Sequence, residues 1–271
     1  MADKYVVIGN PVAHSKSPEI HAWFARQTGE QVSYERLEAP LDGFADTVAA
    51  FMDAGGRGAN VTVPFKLEAY ALATELSVRA QAAGAVNTLR FSGDVIYGDN
   101  TDGVGLVTDI LHNAGVTLHG KRLLLLGAGG AARGVLLPLL EQQPVELVIA
   151  NRTMDKATLL QQEFSAPHGL LRASSYDALD GAFDVVINAT SASLDDALPP
   201  LDAAAFAPGA LAYDMMYGRA ATPFMRFAAG HGATVRDGLG MLVEQAAESF
   251  FVWRGIRPDT GPVHAALRAL L

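Results

Sequence analysis

Short apolar runs alternate with longer stretches of helical spacing along nearly the whole chain. Residues 4–8 (KYVVI) make a β-branched run that ends in Gly9-Asn10-Pro11, the pattern of a buried strand and its turn. Residues 17–27 set Ile20, Trp23 and Phe24 on one helical face. Residues 34–37 and 59–63 read as strands on either side of a helix at about 43–54. Residues 86–91 and 95–98 flank Ser92-Gly93-Asp94 and read as a hairpin. The alternation then strengthens: KRLLLL (121–126), VELVIA (145–150), FDVVINA (183–189), ALAYDM (210–215) and ATVR (233–236) are separated by helical or loop segments. This pattern predicts an α/β protein with a mostly parallel sheet and helices on both faces. Residues 239–253 space Leu239, Leu242, Val243, Ala246, Ala247 and Phe250 as one helical face. Residues 195–208, rich in Asp, Pro and Ala, are expected to form an irregular loop.

Composition narrows the function classes. The 271 residues suit one large domain or two ordinary ones. Half of them are hydrophobic and 18% charged, which excludes a disordered chain. The net charge of −9 repels phosphate backbones, so neither nucleic acid nor an anionic membrane is an expected partner. A small anion needs a locally positive pocket. With no cysteine, disulfides, thiolate metal sites and a Cys nucleophile are excluded. The seven histidines are scattered without an H-x-x-x-H pair, and no metal site is expected. The apolar runs are strand-length and no signal peptide is visible, so the expected location is the cytoplasm.

The strongest single motif follows the LLLL run. Gly127-Ala128-Gly129-Gly130-Ala131-Ala132 joins a fully apolar strand to a helix-forming stretch. In such a loop the first glycine makes the tight turn and the second lets backbone approach a pyrophosphate; the helix N-terminus then offers amides and its dipole to the phosphates. An ordinary strand–helix turn is the bland alternative, but the strand–loop–helix context favours a Rossmann-type dinucleotide unit. The end of the next strand selects the dinucleotide. Where an NAD site carries a carboxylate, this chain has Asn151-Arg152-Thr153, followed by Lys156. Two cations and a hydroxyl suit a 2′-phosphate, which points to NADP.

Four polar clusters precede that loop, each where an apolar run ends. In His14-Ser15-Lys16-Ser17-Pro18, Ser17 reads either as a helix cap with Pro18 at the first position or, with Ser15, as a cradle for a carboxylate. In Asn60-Val61-Thr62-Val63-Pro64-Phe65-Lys66, Asn60 and Thr62 share one side of a strand, and Lys66 follows the proline that ends it. Asn87-Thr88 and Gly98-Asp99-Asn100-Thr101-Asp102-Gly103 complete the set. Asp102 reads as a helix N-cap or as the group that orients the Lys66 ammonium for proton transfer.

Taken in order, GNPVAHSKSPEIH, NVTVPFK, GAVNT, GDNTDG, GAGGAARG, NRT, NATS, YDMMY and DGLGMLVEQAA span residues 9–247, and the chain resembles the shikimate dehydrogenase family. The resemblance implies reversible NADPH-dependent reduction of 3-dehydroshikimate to shikimate, a step in aromatic amino-acid (chorismate) biosynthesis. It implies Lys66 as the catalytic residue, paired with Asp102. It also implies a substrate site of Ser15, Ser17, Asn60, Thr62, Asn87, Asp102, Tyr217 and Gln245. NADP would lie on Gly127, Ala128, Gly129, Gly130 and Ala131, with Asn151, Arg152, Thr153 and Lys156 around the adenosine phosphate and Met215 and Gly238 near the nicotinamide. The implied architecture is an N-terminal α/β substrate domain (1–103), an NADP-binding domain (104–237) and a C-terminal helical segment (238–271) that returns to the first. A homodimer is among the assemblies it allows. The chain departs from the pattern at three places: Ala192-Ser193 after NATS, Met216 within YDMMY, and Lys156 where Arg is frequent. Two other readings stand beside it: a quinate/shikimate dehydrogenase using NAD, which should carry an acidic residue after the second strand, and a non-catalytic NADP(H)-binding sensor, which should lack a proton-transfer pair.

Overall fold

The computed structural model describes residues 2–164, 170–190, 192 and 197–270. Residue contacts divide the chain into two compact units, Met1–Gly105 with Leu242–Leu270, and Leu106–Met241. The first opens with β1 (Asp3–Gly9), α1 (Ser17–Thr28), β2 (Val32–Glu38), α2 (Phe44–Asp53), β3 (Gly56–Val61) and α3 (Lys66–Leu72). It continues with β4 (Glu75–Leu76), α4 (Val78–Ala83), β5 (Thr88–Ser92) and β6 (Val95–Asp99), after which α5 (Asp102–Thr108) leads into the second unit. That unit holds β7 (Arg122–Leu126), α6 (Gly130–Leu140), β8 (Glu146–Ala150), α7 (Met154–Glu163), β9 (Leu171–Ser174), β10 (Phe183–Asn188), β11 (Phe206–Asp214), α8 (Pro223–Gly230) and β12 (Thr234–Arg236). Two helices, α9 (Leu239–Arg254) and α10 (Gly261–Leu270), follow, and from Leu242 onward they belong to the first unit.

The alternation predicted one mostly parallel sheet; there are two, of six strands each, and only one is wholly parallel. The first runs β2-β1-β3-β5-β6-β4, with β5 antiparallel to both β3 and β6. The physical reason is the two-residue connection Gly93-Asp94 between β5 and β6: it is far too short for a parallel crossover, and Gly93 sits at φ +58° to make the turn. Ile8, Phe44, Phe65 and Leu89 are fully buried at its centre.

The second sheet runs β12-β11-β10-β7-β8-β9, all parallel. The order reverses between β7 and β10, as in dinucleotide-binding sheets, whose ligands sit at that switch point. The unbroken LLLL run is explained by burial on both faces: Leu123 and Leu125 enter one core, Leu124 and Leu126 the other. The strands β4 and β9 carried too few apolar residues to be read from sequence. Residues 206–208, expected in a loop, already belong to β11, and a 3₁₀ turn (Ala203–Ala205) precedes it. Asp195 and Ser193, singled out above, lie outside the described residues.

One buried ionic network organises the second unit. After α5 the helix widens into a π turn, Asp109–Asn113, and Asp109 is fully buried. Arg236 Nε and Nη2 donate to its two oxygens at 2.7 and 2.6 Å, and Tyr213 Oη donates at 2.7 Å. Burial alone would raise the Asp109 carboxyl; bonds from Arg236, Asn113 and Tyr213 outweigh it and hold the group below the usual carboxylate range. The backbone N–H of Met241 donates to Tyr213 Oη at 3.3 Å. Gly240 makes room for this, since a Cβ there would lie 1.9 Å from Asp109 Oδ1. Among the described residues no helix is long and apolar enough to cross a membrane.

Candidate active site

Lys66 and Asp102 reach each other from two different helix starts on the first sheet's polar rim. β3 stops at Val61; Pro64 follows, Phe65 plugs the core, and Lys66 opens α3. Asp102 is the first residue of α5 and not its cap: its own N–H is taken by Asn100 Oδ1 at 3.2 Å. The capping alternative is thereby corrected, and the Asp102 carboxylate is left for side chains. Lys66 Nζ donates to Oδ2 at 2.6 Å, and Asn87 Nδ2 donates to Oδ1 at 2.8 Å. Both partners are partly exposed, the lysine at 30% and the aspartate at 19%, so the ammonium is oriented yet still accessible.

Asn87, at the start of the hairpin, is almost fully buried and its flip is fixed. Its Oδ1 accepts the backbone N–H of Thr101 at 2.9 Å, which turns Nδ2 toward Asp102 and Gln245 Oε1, the latter 3.5 Å away. Gln245 is carried by α9 and anchors its Nε2 on the Leu242 carbonyl. Asn60 behaves differently from its expected role. It is 6% exposed, its Oδ1 accepts from Tyr34 Oη at 2.7 Å, and its Nδ2 lies within 3.2 Å of three protein acceptors. An amide so saturated has no donor left for a ligand.

Ser15 and Ser17 come together at the entry to α1, with their hydroxyls 3.2 Å apart. Lys16 is the cap residue and no side chain caps the helix, so the capping reading of Ser17 is also corrected. Arg36 fixes this loop by donating to the Ser15 carbonyl while pairing with Glu19. Thr62 lies just past β3, and its Cγ2 sits 2.5 Å from where a Gly9 Cβ would be, so the glycine at the end of β1 makes room for it. The Thr62 hydroxyl has no hydrogen bond to the described residues.

The second unit carries the residues expected to hold a dinucleotide. Gly127 leaves β7 at φ +102° and packs on the Ala189 carbonyl after β10, at the switch point. Gly129 and Gly130 are exposed, and a Cβ on either would meet nothing within 4 Å. α6 begins at Gly130 beside Ala131 and after Ala128, so its first amides, without intrahelical partners, open onto that clear space. After β8, Asn151 Nδ2 donates to the Thr153 carbonyl at 2.8 Å and shapes the turn. Arg152, Thr153 and Lys156 are exposed, and neither cation has an ion pair with the described residues. A loop clear of side chains and two unpaired cations fit a dinucleotide with an extra phosphate. Met215 and Gly238 also meet: a Cβ at Gly238 would lie 2.2 Å from the Met215 carbonyl oxygen. Tyr217 is half-buried two residues beyond Met215, and burial raises its hydroxyl above the usual range.

The comparisons with known proteins fit this geometry. Residues 7–89 match the shikimate dehydrogenase substrate binding domain, 109–195 the shikimate / quinate 5-dehydrogenase pattern, and 238–268 the shikimate 5′-dehydrogenase C-terminal domain. A Janthinobacterium sp. (strain Marseille) protein named shikimate dehydrogenase (NADP(+)) is 65% identical over 98% of this chain and 97% of its own. The chain belongs to the shikimate dehydrogenase (NADP(+)) family. A shikimate 5-dehydrogenase of Thermus thermophilus, solved with NADP(H) and shikimate, superposes with a TM-score of 0.87 at 35% identity, covering 99% of this chain and 100% of that one. The fold also serves other substrates: a 5-ketofructose reductase of Gluconobacter sp. strain CHM43 gives a TM-score of 0.88 at 26% identity, covering 100% and 99%. Shikimate dehydrogenase motifs therefore account for the residues quoted above, but not for the groups that hold them. Thr88 and Thr101 stand in the polar clusters but were given no role there, and Ser249, Tyr34 and Arg36 were not singled out from sequence; Thr88, Thr101 and Ser249 are all fully buried. Ser249 alone had a usable signal, lying one helical turn beyond Gln245 on the same face.

Proposed function

We propose that this chain catalyses the reversible NADPH-dependent reduction of 3-dehydroshikimate to shikimate. The observation that carries the reading is the Lys66–Asp102 pair at 2.6 Å, with Asp102 held on its other oxygen by Asn87. When bound, NADPH supplies the hydride. Lys66 Nζ gives a proton to the carbonyl oxygen that becomes the C3 hydroxyl, and takes it back in the oxidative direction. Asp102 orients the ammonium and, with Asn87, Thr62 and Gln245, binds ring hydroxyls; Ser15 and Ser17 receive the carboxylate, with Tyr217 beside it. We read Asn60 as a support for Asn87 and not as a ligand. Gly127, Ala128, Gly129, Gly130 and Ala131 hold the pyrophosphate, Asn151, Arg152, Thr153 and Lys156 the adenosine phosphate, and Met215 and Gly238 the nicotinamide end.

In this reading residues 1–103 and the helical segment 238–271 serve the substrate and 104–237 serve NADP. The enzyme works in the cytoplasm on small molecules and binds no nucleic acid, in keeping with its −9 charge. The assembly to test is a homodimer, by sedimentation. The NAD-linked quinate reading is disfavoured because Arg152 and Lys156 stand where an acidic residue would hold the NAD ribose. The sensor reading is disfavoured by the intact Lys66–Asp102 pair. The test is NADPH formation from NADP with shikimate, beside quinate and NAD. Turnover only with quinate and NAD would overturn the assignment, and tight NADP binding without turnover would favour the sensor.

A further inference from the structure

We propose that Ser249 is a positioning residue for the shikimate site, acting through Asn60, Thr88 and Asn87 on Asp102; the inference rests on the function proposed above. Ser249 enters from α9 one turn beyond Gln245 and is fully buried where four polar groups converge. Its Oγ donates to the Gln245 carbonyl at 2.9 Å, which accounts for its only proton. The oxygen can then only accept: Asn60 Nδ2 lies 2.9 Å away, Thr88 Oγ1 2.8 Å and Thr101 Oγ1 3.2 Å. Ser249 is thus the acceptor on which the network converges, with its own hydrogen anchored on backbone.

The consequence reaches the proton-transfer pair in three steps. Asn60 Nδ2 has two hydrogens, and its other acceptors are the Asn87 carbonyl at 3.2 Å and Thr88 Oγ1 at 3.1 Å. Thr88 Oγ1 has one proton and two acceptors for it, Ser249 Oγ at 2.8 Å and Asn87 Oδ1 at 2.9 Å. Asn87 Nδ2 holds Asp102 Oδ1, and Asp102 Oδ2 holds Lys66. Without the Ser249 hydroxyl, a buried amide hydrogen loses its partner, and Asn60 and Thr88 must compete for the groups that fix Asn87. Leaving such a hydrogen unmet is unfavourable enough to rearrange the neighbours. Ser249 touches neither Lys66 nor a ligand; its influence is transmitted.

The test is a double-mutant cycle read by steady-state kinetics. Ser249→Ala removes the hydroxyl, and Ser249→Cys keeps its volume with a poor hydrogen-bonding atom. Each should lower kcat/KM for shikimate about tenfold, the size of one lost hydrogen bond, and leave KM for NADP within about twofold. In an Asn87→Ala background, Ser249→Ala should add less than about twofold, because the path is already cut. Additive effects, full activity in Ser249→Cys, or equal changes in both KM values would each overturn the role. An Asn87→Ala enzyme with unchanged shikimate kinetics would overturn the site reading itself and the Ser249 role with it; sensitivity to Asn87 without coupling overturns the Ser249 role alone.

Discussion

The two ligand ends of this chain are built on opposite plans. Around Lys66 nearly every polar atom already has a protein partner: the ammonium is paired, Asn87 is pinned by backbone and Asn60 is saturated. Around the glycine loop the important groups are bare, with Gly129 and Gly130 facing open space and Arg152 and Lys156 without ion pairs among the described residues. On the roles proposed above, the difference follows from the task. A phosphate brings its own fixed charge and needs only accessible cations and amides. A proton that moves during turnover needs its donor aligned beforehand, because alignment lost there appears directly in the barrier.

The comparison breaks most readily at Lys66. Lys66→Ala should reduce kcat by about 10²–10⁴ with a modest change in KM for shikimate; preserved kcat would show that the paired end has no part in proton transfer. Next comes Gly240→Ala, which asks whether the second unit is bare only at its loop. An exposed helical Gly→Ala change normally stabilises by up to about 1 kcal/mol. Here the new Cβ collides with Asp109, so urea unfolding should show a loss of about 3–5 kcal/mol, the penalty of breaking a buried pair. A neutral result would mean the Asp109–Arg236 network is not structurally required. Arg152→Ala sharpens the bare end: KM for NADP should rise about tenfold or more and KM for NAD by less than about twofold. Equal effects on both would remove Arg152 from the 2′-phosphate.

A pH-dependent test concerns His21, which is fully buried with neither ring nitrogen hydrogen-bonded and stacks on Tyr34 at 4.3 Å. Burial lowers its pKa to about 3, against 6.5 for the free side chain. The neutral ring therefore stabilises the fold fully above pH 6.5, and that contribution is lost as pH falls toward 3, at up to about 1.4 kcal/mol per pH unit. His21→Phe should flatten this part of the acid-unfolding curve. If wild type and variant keep the same slope between about pH 6.5 and 4, His21 is not buried in its neutral form.

Elements were legible in the sequence where one physical signal dominated. Leu123 to Leu126 could be nothing but a strand covered on both faces, and the glycines after them located the turn. Legibility ended where an outcome depended on distant partners. Asp102 and Ser17 stand at helix starts and read equally as caps, and only the positions of Asn100 and Lys16 removed that alternative. Asn60 sits in a motif beside Thr62, yet Tyr34 and Ser249, brought in by other elements, saturate it. The β5–β6 hairpin was legible from Ser92-Gly93-Asp94, but the antiparallel pairing of β5 with β3 was not, because periodicity says that a strand exists and nothing about its direction. Edge strands such as Glu75–Leu76 are simply too short for periodicity to register.

The return of α9 to the first unit has a consequence for how the protein is made. Residues 106–241 are contiguous, so that sheet can be completed while the tail is still being synthesised. The first unit cannot: Asn60, Asn87 and Thr88 leave the ribosome long before Gln245 and Ser249, and until then the bonds they make to those two residues lack partners. Synthesis order thus allows the second sheet to close first, and the bonds to Gln245 and Ser249 form only when α9 arrives.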